Sequence, residues 1–573
     1  MRLRCEAPEP ACWRSRRCST KRNPRSTPSP RASTPHFSGS SGPYLILREN
    51  ADGRLSRTRS EADACSGNAI PLRSSRRLIP LRIRLTSGKS STRISPSSPC
   101  YLTRMIVAKF GGTSVGDVAA IDRAARIVES MRDKKPVVIL SAMAKVTDGL
   151  LAAGELALAG KPRERDDALW EIRSRHDHVV LELIKNRKSA DALQVALAAI
   201  REEMQKVFTG VSLLREMSDR SRDLICSFGE RLIAPIFAAY LRELSLPAEA
   251  VDARECIVTS DESDFMLVDF EETRKRCQKI VKLVRSGVIP VVTGFICSTP
   301  EGVTTTLGRG GSDYSASIIG SCIKAGEIQI WTDVNGVMTA DPRIVPEASV
   351  LERVSYKEAA EMSYFGAKVL HPKTIMPAAD EKIPIRIKNS FAPDAPGTLI
   401  TAETPVHRYG VKTVTSITGL MMVSVEGRGM IGVPGVAGRV FTTTARHRIS
   451  VLMFSQGSSE QHISLVVNRD DGDETVKALR REFSAEMERR RIDRISGVSE
   501  VAIIALVGEG MKGLPGVAAR AFGVLGEAGV NILMIAQGSS ELNLSIVVKQ
   551  RDAPRAVQLL HQAFELDRLG GAA

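Results

Sequence analysis

Five short segments combine glycine, hydroxyl, cation and carboxylate in patterns suited to a small charged ligand. In Lys109-Phe110-Gly111-Gly112-Thr113-Ser114, the glycines let backbone approach an oligophosphate and amides at a helix start favour anions, while Lys109 can offset charge on a transferred group. Its spacing is not that of a Walker A loop, and a Gly-Gly turn also serves as a plain tight connection. The second segment, Thr304 to Ser315, brings Arg309, Ser312 and Asp313 into one glycine-rich loop. Arg309 suits bidentate carboxylate binding, or is a surface cation; Asp313 suits Mg²⁺, a lysine that handles phosphate, or a helix cap. The third, Trp331-Thr332-Asp333-Val334-Asn335-Gly336 with Asp341-Pro342-Arg343, ends a buried strand, where α/β sheets place ligands. Thr332 and Asp333 can read a base or ribose and Arg343 a phosphate, although an Asn-Gly turn with a capped helix explains the same letters. In the fourth, Phe365 to Pro372, Lys368 is a phosphate-ligand candidate beside Val369, and His371 reads as a hydrogen-bonded residue before Pro372. The fifth, Ser227-Phe228-Gly229-Glu230, supplies an acid for a substrate ammonium or an exposed glutamate at a helix start, while Ser141 and Thr147 follow a strand.

Those segments need a scaffold, and the hydrophobic pattern describes one. Ile106-Val107-Ala108 precedes a helix carrying Val118, Ile121, Ala125, Val128 and Met131 at three-to-four spacing. Further buried strands read at 136–140, at 289–296 as one continuous strand, and at 328–331. Such alternation predicts a mostly parallel sheet flanked by helices. Ser390 to Gly397 is turn-rich punctuation, after which the character of the chain changes.

The C-terminal third repeats itself. Val433-Pro434-Gly435-Val436 recurs as Leu514-Pro515-Gly516-Val517, Ile449 to Met453 as Val530 to Met534, and Gln456-Gly457-Ser458-Ser459-Glu460 as Gln537-Gly538-Ser539-Ser540-Glu541, each 81 residues on. A constant offset predicts two copies of one β-α-β-type module, with a helix after each Pro-Gly turn and a strand after each Gln-Gly-Ser-Ser loop. Two half-sites follow from that.

Charge must be located before it is interpreted. The net +15 lies entirely in residues 1–104, which hold 21 basic and 6 acidic residues; the remainder balances at 59 of each. That segment also carries 11 of the 28 prolines and 5 of the 10 cysteines, and we expect it to be disordered. A start placed upstream of the native one, a transit peptide, and a basic nucleic-acid arm compete. The strand-like run opening at Met105 and the many cysteines favour the first. Cys226, Cys256, Cys277, Cys297 and Cys322 show no CxxC pairing or neighbouring His, so no metal centre or disulfide framework is expected. Nor does any uninterrupted apolar stretch reach the ~18 residues a membrane span needs.

Taken together and in this order, the five segments resemble the aspartokinase family of the amino-acid-kinase fold; Lys109 to Ser114, Ser227 to Glu230 and Phe365 to Pro372 carry the resemblance most specifically. It spans Met105 to the C-terminus, and the repeated modules look like ACT domains. The resemblance implies a three-layer α/β/α catalytic domain over 105–400 and two ferredoxin-like βαββαβ modules over 401–495 and 496–573. It further implies ATP, Mg²⁺ held mainly by phosphates, and L-aspartate bound by Glu230 and Arg309 with Ser141, Thr147 and Ser312 nearby. Lys109 and Asp313 would be catalytic. Residues Lys109 to Ser114, Thr332, Asp333, Met338, Arg343, Lys368 and Val369 would face the nucleotide, with Met338 standing where relatives often have Tyr. Gln456 and Gln537, with Ser450 and Asn531, would bind an amino-acid effector, threonine in preference to lysine. A monofunctional, cytoplasmic homo-oligomer assembled through the ACT modules is the expectation, plastidic if 1–104 is a transit peptide, with neither nucleic acid nor membrane as partner. Two other readings stand beside it: a non-catalytic amino-acid sensor, and a kinase for a different carboxylate.

Overall fold

The computed structural model describes residues 105–260, 267–366 and 370–570; the extension over 1–104 and the Lys368-Val369 pair lie outside the described residues. The chain opens with β1 (Ile106–Phe110), α1 (Val118–Ser130) and β2 (Pro136–Leu140), then α2 (Val146–Leu158), α3 (Pro162–Leu183), α4 (Arg187–Leu214) and α5 (Asp219–Glu243). Next come β3 (Ala248–Val251), a ribbon of β4 (Thr259–Ser260) and β5 (Leu267–Val268), α6 (Phe270–Arg276), α7 (Gln278–Arg285) and β6 (Ile289–Thr293). A hairpin of β7 (Ile296–Ser298) and β8 (Thr304–Thr306) leads to α8 (Gly311–Ile323) and β9 (Glu327–Thr332). β10 (Arg353–Ser355), α9 (Tyr356–Tyr364), α10 (Pro372–Asp380), β11 (Ile385–Asn389) and β12 (Thr398–Thr401) complete the first half.

Its eight-stranded sheet has the order β10-β12-β11-β9-β1-β2-β6-β3, and neighbours run parallel except β11 against β12. β1, β2 and β6 are buried at every position, as strands covered on both faces must be. Side chains of a strand alternate between faces. Val107 accordingly joins Ile280, Ile318 and Ile319 in one layer, whereas Ile106, Ala108 and Phe110 join Ile121 and Phe237 in the other. By the same alternation Lys109 faces the α8 layer. α5 is long and apolar enough to cross a membrane, yet almost every residue from Ile225 to Leu241 is enclosed by protein, so it is a core helix.

One expectation is corrected. Residues 289–296 are not a single strand, because β6 stops at Thr293. The Gly294 amide donates to the Leu140 carbonyl at 2.7 Å, and a Cβ there would meet that oxygen at 2.8 Å. Phe295 then takes a left-handed φ of 66°, turning the chain into the β7–β8 hairpin.

The second half contains β13 (Thr413–Glu426), α11 (Val436–Arg446), β14 (Met453–Gln456), β15 (His462–Asn468), α12 (Arg469–Glu482) and α13 (Ser484–Glu488). β16 (Arg494–Val507), α14 (Val517–Glu527), β17 (Ile532–Ala536), β18 (Asn543–Lys549) and α15 (Ala553–Ala563) follow. These strands form one antiparallel sheet, ordered β14-β15-β13-β16-β18-β17. The repeat is visible element by element: α11 and α14, and β15 and β18, coincide under the 81-residue offset. The modules are interleaved, however, and not simply consecutive. Thr413 to Ile417 pair with Val507 to Ile503, while Met421 to Glu426 pair with Ser499 to Arg494. The strand that closes the second copy therefore precedes the first copy in sequence, and each long strand serves both modules.

α9 fastens the halves together. Glu358, fully buried, accepts from Lys412 Nζ at 2.9 Å and from the Glu509 amide at 2.8 Å, while capping its own helix through the Ser355 amide. At the other end of the helix Tyr364 Oη donates to the Leu452 carbonyl at 3.0 Å. Lys412→Met would leave Glu358 buried without its counter-charge. We expect a loss of about 3 kcal/mol, read as a lower urea midpoint; an unchanged midpoint would show that the pair contributes nothing.

Candidate active site

Two glycine turns, far apart in the chain, converge on one ion pair. Lys109, the penultimate residue of β1, points into the α8 layer, and its Nζ lies 2.6 Å from Asp313 Oδ1. Asp313 occupies the first turn of α8, where the helix dipole favours an anion. Gly310, left-handed at φ 72°, forms the helix N-cap and brings the chain round sharply enough to present that turn. Both side chains are largely enclosed, 10 % and 15 % exposed, so screening by water is weak there.

The pair lines a cleft of about 560 Å³ that also collects Ser141, Thr147, Glu230, Arg309 and Ser312. Glu230 stands in the middle of α5 and not at a helix start, buried to 3 % exposure. Burial pushes its carboxyl up to about 8, against the lowering effects of the Ala142 amide, its own amide and the Lys109 charge. Its Oε2 has no hydrogen-bond partner within the protein. A buried acceptor left open toward a cleft is costly unless a ligand completes it, and an ammonium is the chemical complement. Arg309 is exposed on the same cleft and makes no ion pair with the described residues. The cleft thus sets a buried acid with an open acceptor and an exposed guanidinium beside a lysine. Met143, Lys145, Asp148 and Phe295 also line the cleft and had no motif to flag them.

The remaining nucleotide candidates are placed differently. Phe110 is a core residue stacked on Trp331, and Ser114, fully buried, bonds to Ser390 Oγ at 2.9 Å. With the Gly111 amide donating to the Trp331 carbonyl at 3.1 Å, they brace the first turn from behind. Gly112 lines the cleft, and Thr113 is exposed beside it in sequence. Thr332 ends β9 next to that turn and Asp333 follows it, its Oδ1 accepting from Thr332 Oγ1 at 3.1 Å. Met338 and Arg343 follow β9 and are not among the lining residues of this cavity: the Met338 carbonyl accepts from Thr413 Oγ1 at 3.0 Å, and Arg343 pairs with Asp341 at 2.6 Å on the surface. His371 caps α10, its Nδ1 accepting from the Lys373 amide, which is the structural part expected of it.

In the regulatory half, Gln456 ends edge strand β14 and Gln537 follows edge strand β17, with Ser450 and Asn531 just before the same strands; all four are exposed. Sequence reasoning overlooked the glutamate of each repeat. Glu460 accepts from the Gly432 amide at 2.8 Å and Glu541 from the Gly513 amide at 2.7 Å, tying each Gln-Gly-Ser-Ser loop to the turn before its helix. Recurrence of the same letter 81 residues on was the available signal.

The Amino acid kinase family model matches residues 104–389, and the ACT domain model matches 423–483 and 504–564. Among solved structures, E. coli aspartokinase III in complex with aspartate and ADP superposes with a TM-score of 0.68 at 32 % identity, over 80 % of this chain and 99 % of that one. Aspartokinase 3, chloroplastic, of Arabidopsis thaliana is 36 % identical over 472 residues, 80 % of this chain and 81 % of the relative. Bifunctional aspartokinase/homoserine dehydrogenase 2, chloroplastic, of the same plant is also 36 % identical, but the alignment covers 51 % of it; the chain spans about half the length of such bifunctional relatives. Sheet order and cleft define an amino-acid-kinase domain carrying paired ACT modules. Within that class, the chain belongs to the aspartokinase family.

Glu230 supplies a test that needs no substrate. Because its folded-state value of about 8 lies above the ordinary 4.5, its contribution to stability is full below 4.5 and is lost as pH rises through 8. Glu230→Gln removes that slope. The variant should exceed the parent by about 2 kcal/mol or more at alkaline pH and match it in acid; parallel stability-versus-pH curves would contradict the assignment.

Proposed function

We propose that the protein is an aspartate kinase, transferring the γ-phosphoryl group of ATP to the side-chain carboxylate of L-aspartate and opening the route to lysine, threonine and methionine. The observation that carries this reading is the single cleft joining Glu230 and Arg309 to the Lys109–Asp313 pair. Glu230 receives the α-ammonium and Arg309 the α-carboxylate, with Ser141, Thr147 and Ser312 as hydroxyl partners. The β-carboxylate, with an ordinary pKa near ~4, is already ionised and needs no general base. One of its oxygens forms a bond to the γ-phosphorus as the bond to the bridging oxygen breaks, giving 4-phospho-L-aspartate and ADP. Lys109 compensates charge on the transferring group, and Asp313 holds that lysine in place.

No cluster of three metal-ligating side chains occurs among the described residues, so Mg²⁺ would be held mainly by the phosphates, with Asp313 the carboxylate beside Lys109. That ion would neutralise phosphate-oxygen charge. Threonine is the effector we favour, at the Gln456 and Gln537 half-sites, and a second copy of the chain is the partner that would close them. Their exposure on the two edge strands supports that arrangement.

Coupled ADP release should depend on aspartate and not on glutamate or N-acetylglutamate. Lys109→Ala should lower kcat by about two decades or more, and unchanged turnover in a hydroxamate assay would remove Lys109 from the mechanism. Calorimetry should register heat with threonine; heat with lysine alone would reverse the effector choice.

A further inference from the structure

We propose that Asp223 is a positioning residue that sets the spacing between the two charges gripping the amino-acid head group. This rests on the reading of the cleft given above. Asp223 lies on α5 seven residues before Glu230, two helical turns or about 10 Å along the axis and on the same face. Its carboxylate is turned to a single strand, β8. Oδ1 accepts from Thr306 Oγ1 at 2.8 Å, and Oδ2 from the Thr306 amide at 3.3 Å and Thr305 Oγ1 at 3.2 Å. No lysine or arginine nitrogen pairs with Asp223 among the described residues. Charge balance therefore does not account for this carboxylate, whereas anchoring neutral donors does, since hydrogen bonds to an ionised acceptor are the stronger kind.

The anchored strand leads directly to the other charge. Thr306 is the last residue of β8 and Arg309 stands three residues on, between Gly308 and Gly310, both left-handed at φ 73° and 72°. The short loop is held between two fixed ends, β8 on one side and the α8 N-cap Gly310 on the other, with the Leu307 amide on the Phe295 carbonyl at 2.9 Å, so the end of β8 sets one of the two anchors of Arg309. The start of β8 is held separately, Arg254 Nη1 donating to Thr304 Oγ1 at 2.9 Å while Asp252 grips the same guanidinium. Loss of Asp223 would release the cleft end of the hairpin and leave its far end fixed. One helix then carries both the ammonium acceptor and the clamp that positions the carboxylate donor, so the head-group spacing is a property of α5.

Asp223→Ala should raise KM for aspartate on the order of tenfold or more, with KM for ATP and kcat within about threefold. Thr306→Val should act in the same direction, Thr306→Ser should behave as the parent, and the double variant D223A/T306V should be no worse than the more affected single one. Hydrogen exchange on the full chain should accelerate at residues 307–311 and not at 298–304. Equal losses in both KM values, or an aspartate KM within about twofold of the parent, would overturn the proposal. Absence of aspartate-dependent turnover in the parent chain would instead overturn the reading of the cleft, and with it the head-group role, whatever the exchange data show.

Discussion

A lysine near the end of a central buried strand is tenable only if its ammonium meets an anion, because the layers on either side of the sheet are packed with hydrocarbon. Asp313 supplies that anion from the first turn of α8, and the requirement dictates much of the rest. It brings the Thr304 to Ser315 loop against the first glycine turn, and it leaves the strand ends of β1 and β2 open at the carboxyl edge where α/β sheets bind ligands. On the proposed reading the pair is also a phosphate handle, a cation held in place before any nucleotide arrives.

Around that pair the cleft is deliberately unfinished. Glu230 is buried with an open acceptor, a desolvation cost at that end of the cleft, whereas Arg309 is exposed and solvated at the other. On the proposed reading, a zwitterion complements the two ends together, since it carries a donor for Glu230 and an acceptor for Arg309.

The regulatory half is built into the catalytic half and not merely appended to it. Beyond β9 the chain passes through Met338 and Thr339, whose carbonyls accept from Thr413, while the Val414 amide also reaches Thr339. Thr339 Oγ1 meets His561 at 3.0 Å, and Ala340 and Val345 are buried in the core of the second ACT module. The segment that leaves the end of β9 is thus shared with that module, and α9 is clamped by Glu358 and Lys412 to the strands around it. Both segments therefore touch the sheet directly, with no intervening layer.

Features written in neighbouring residues were legible before any folding was considered. Hydrophobic alternation marked β1 and α1, the glycine loops marked both turns, and the 81-residue offset marked two copies of one module, because each of these is written in neighbouring residues or in self-similarity. Features that depend on which distant segments meet were not legible there. Of the two readings the sequence left open for Glu230, an acid for an ammonium or an exposed helix-start glutamate, the structure removes the second: it sits buried in mid-helix, and its raised proton affinity comes from burial by segments remote in the chain. Met338 and Arg343, whose contacts within the protein are a main-chain bond to Thr413 and a surface pair with Asp341, are placed by the strand that precedes them and not by their own letters. The interleaving of the two modules is equally invisible in one dimension, since strand pairing across more than 80 residues depends on which edges meet once both layers have packed.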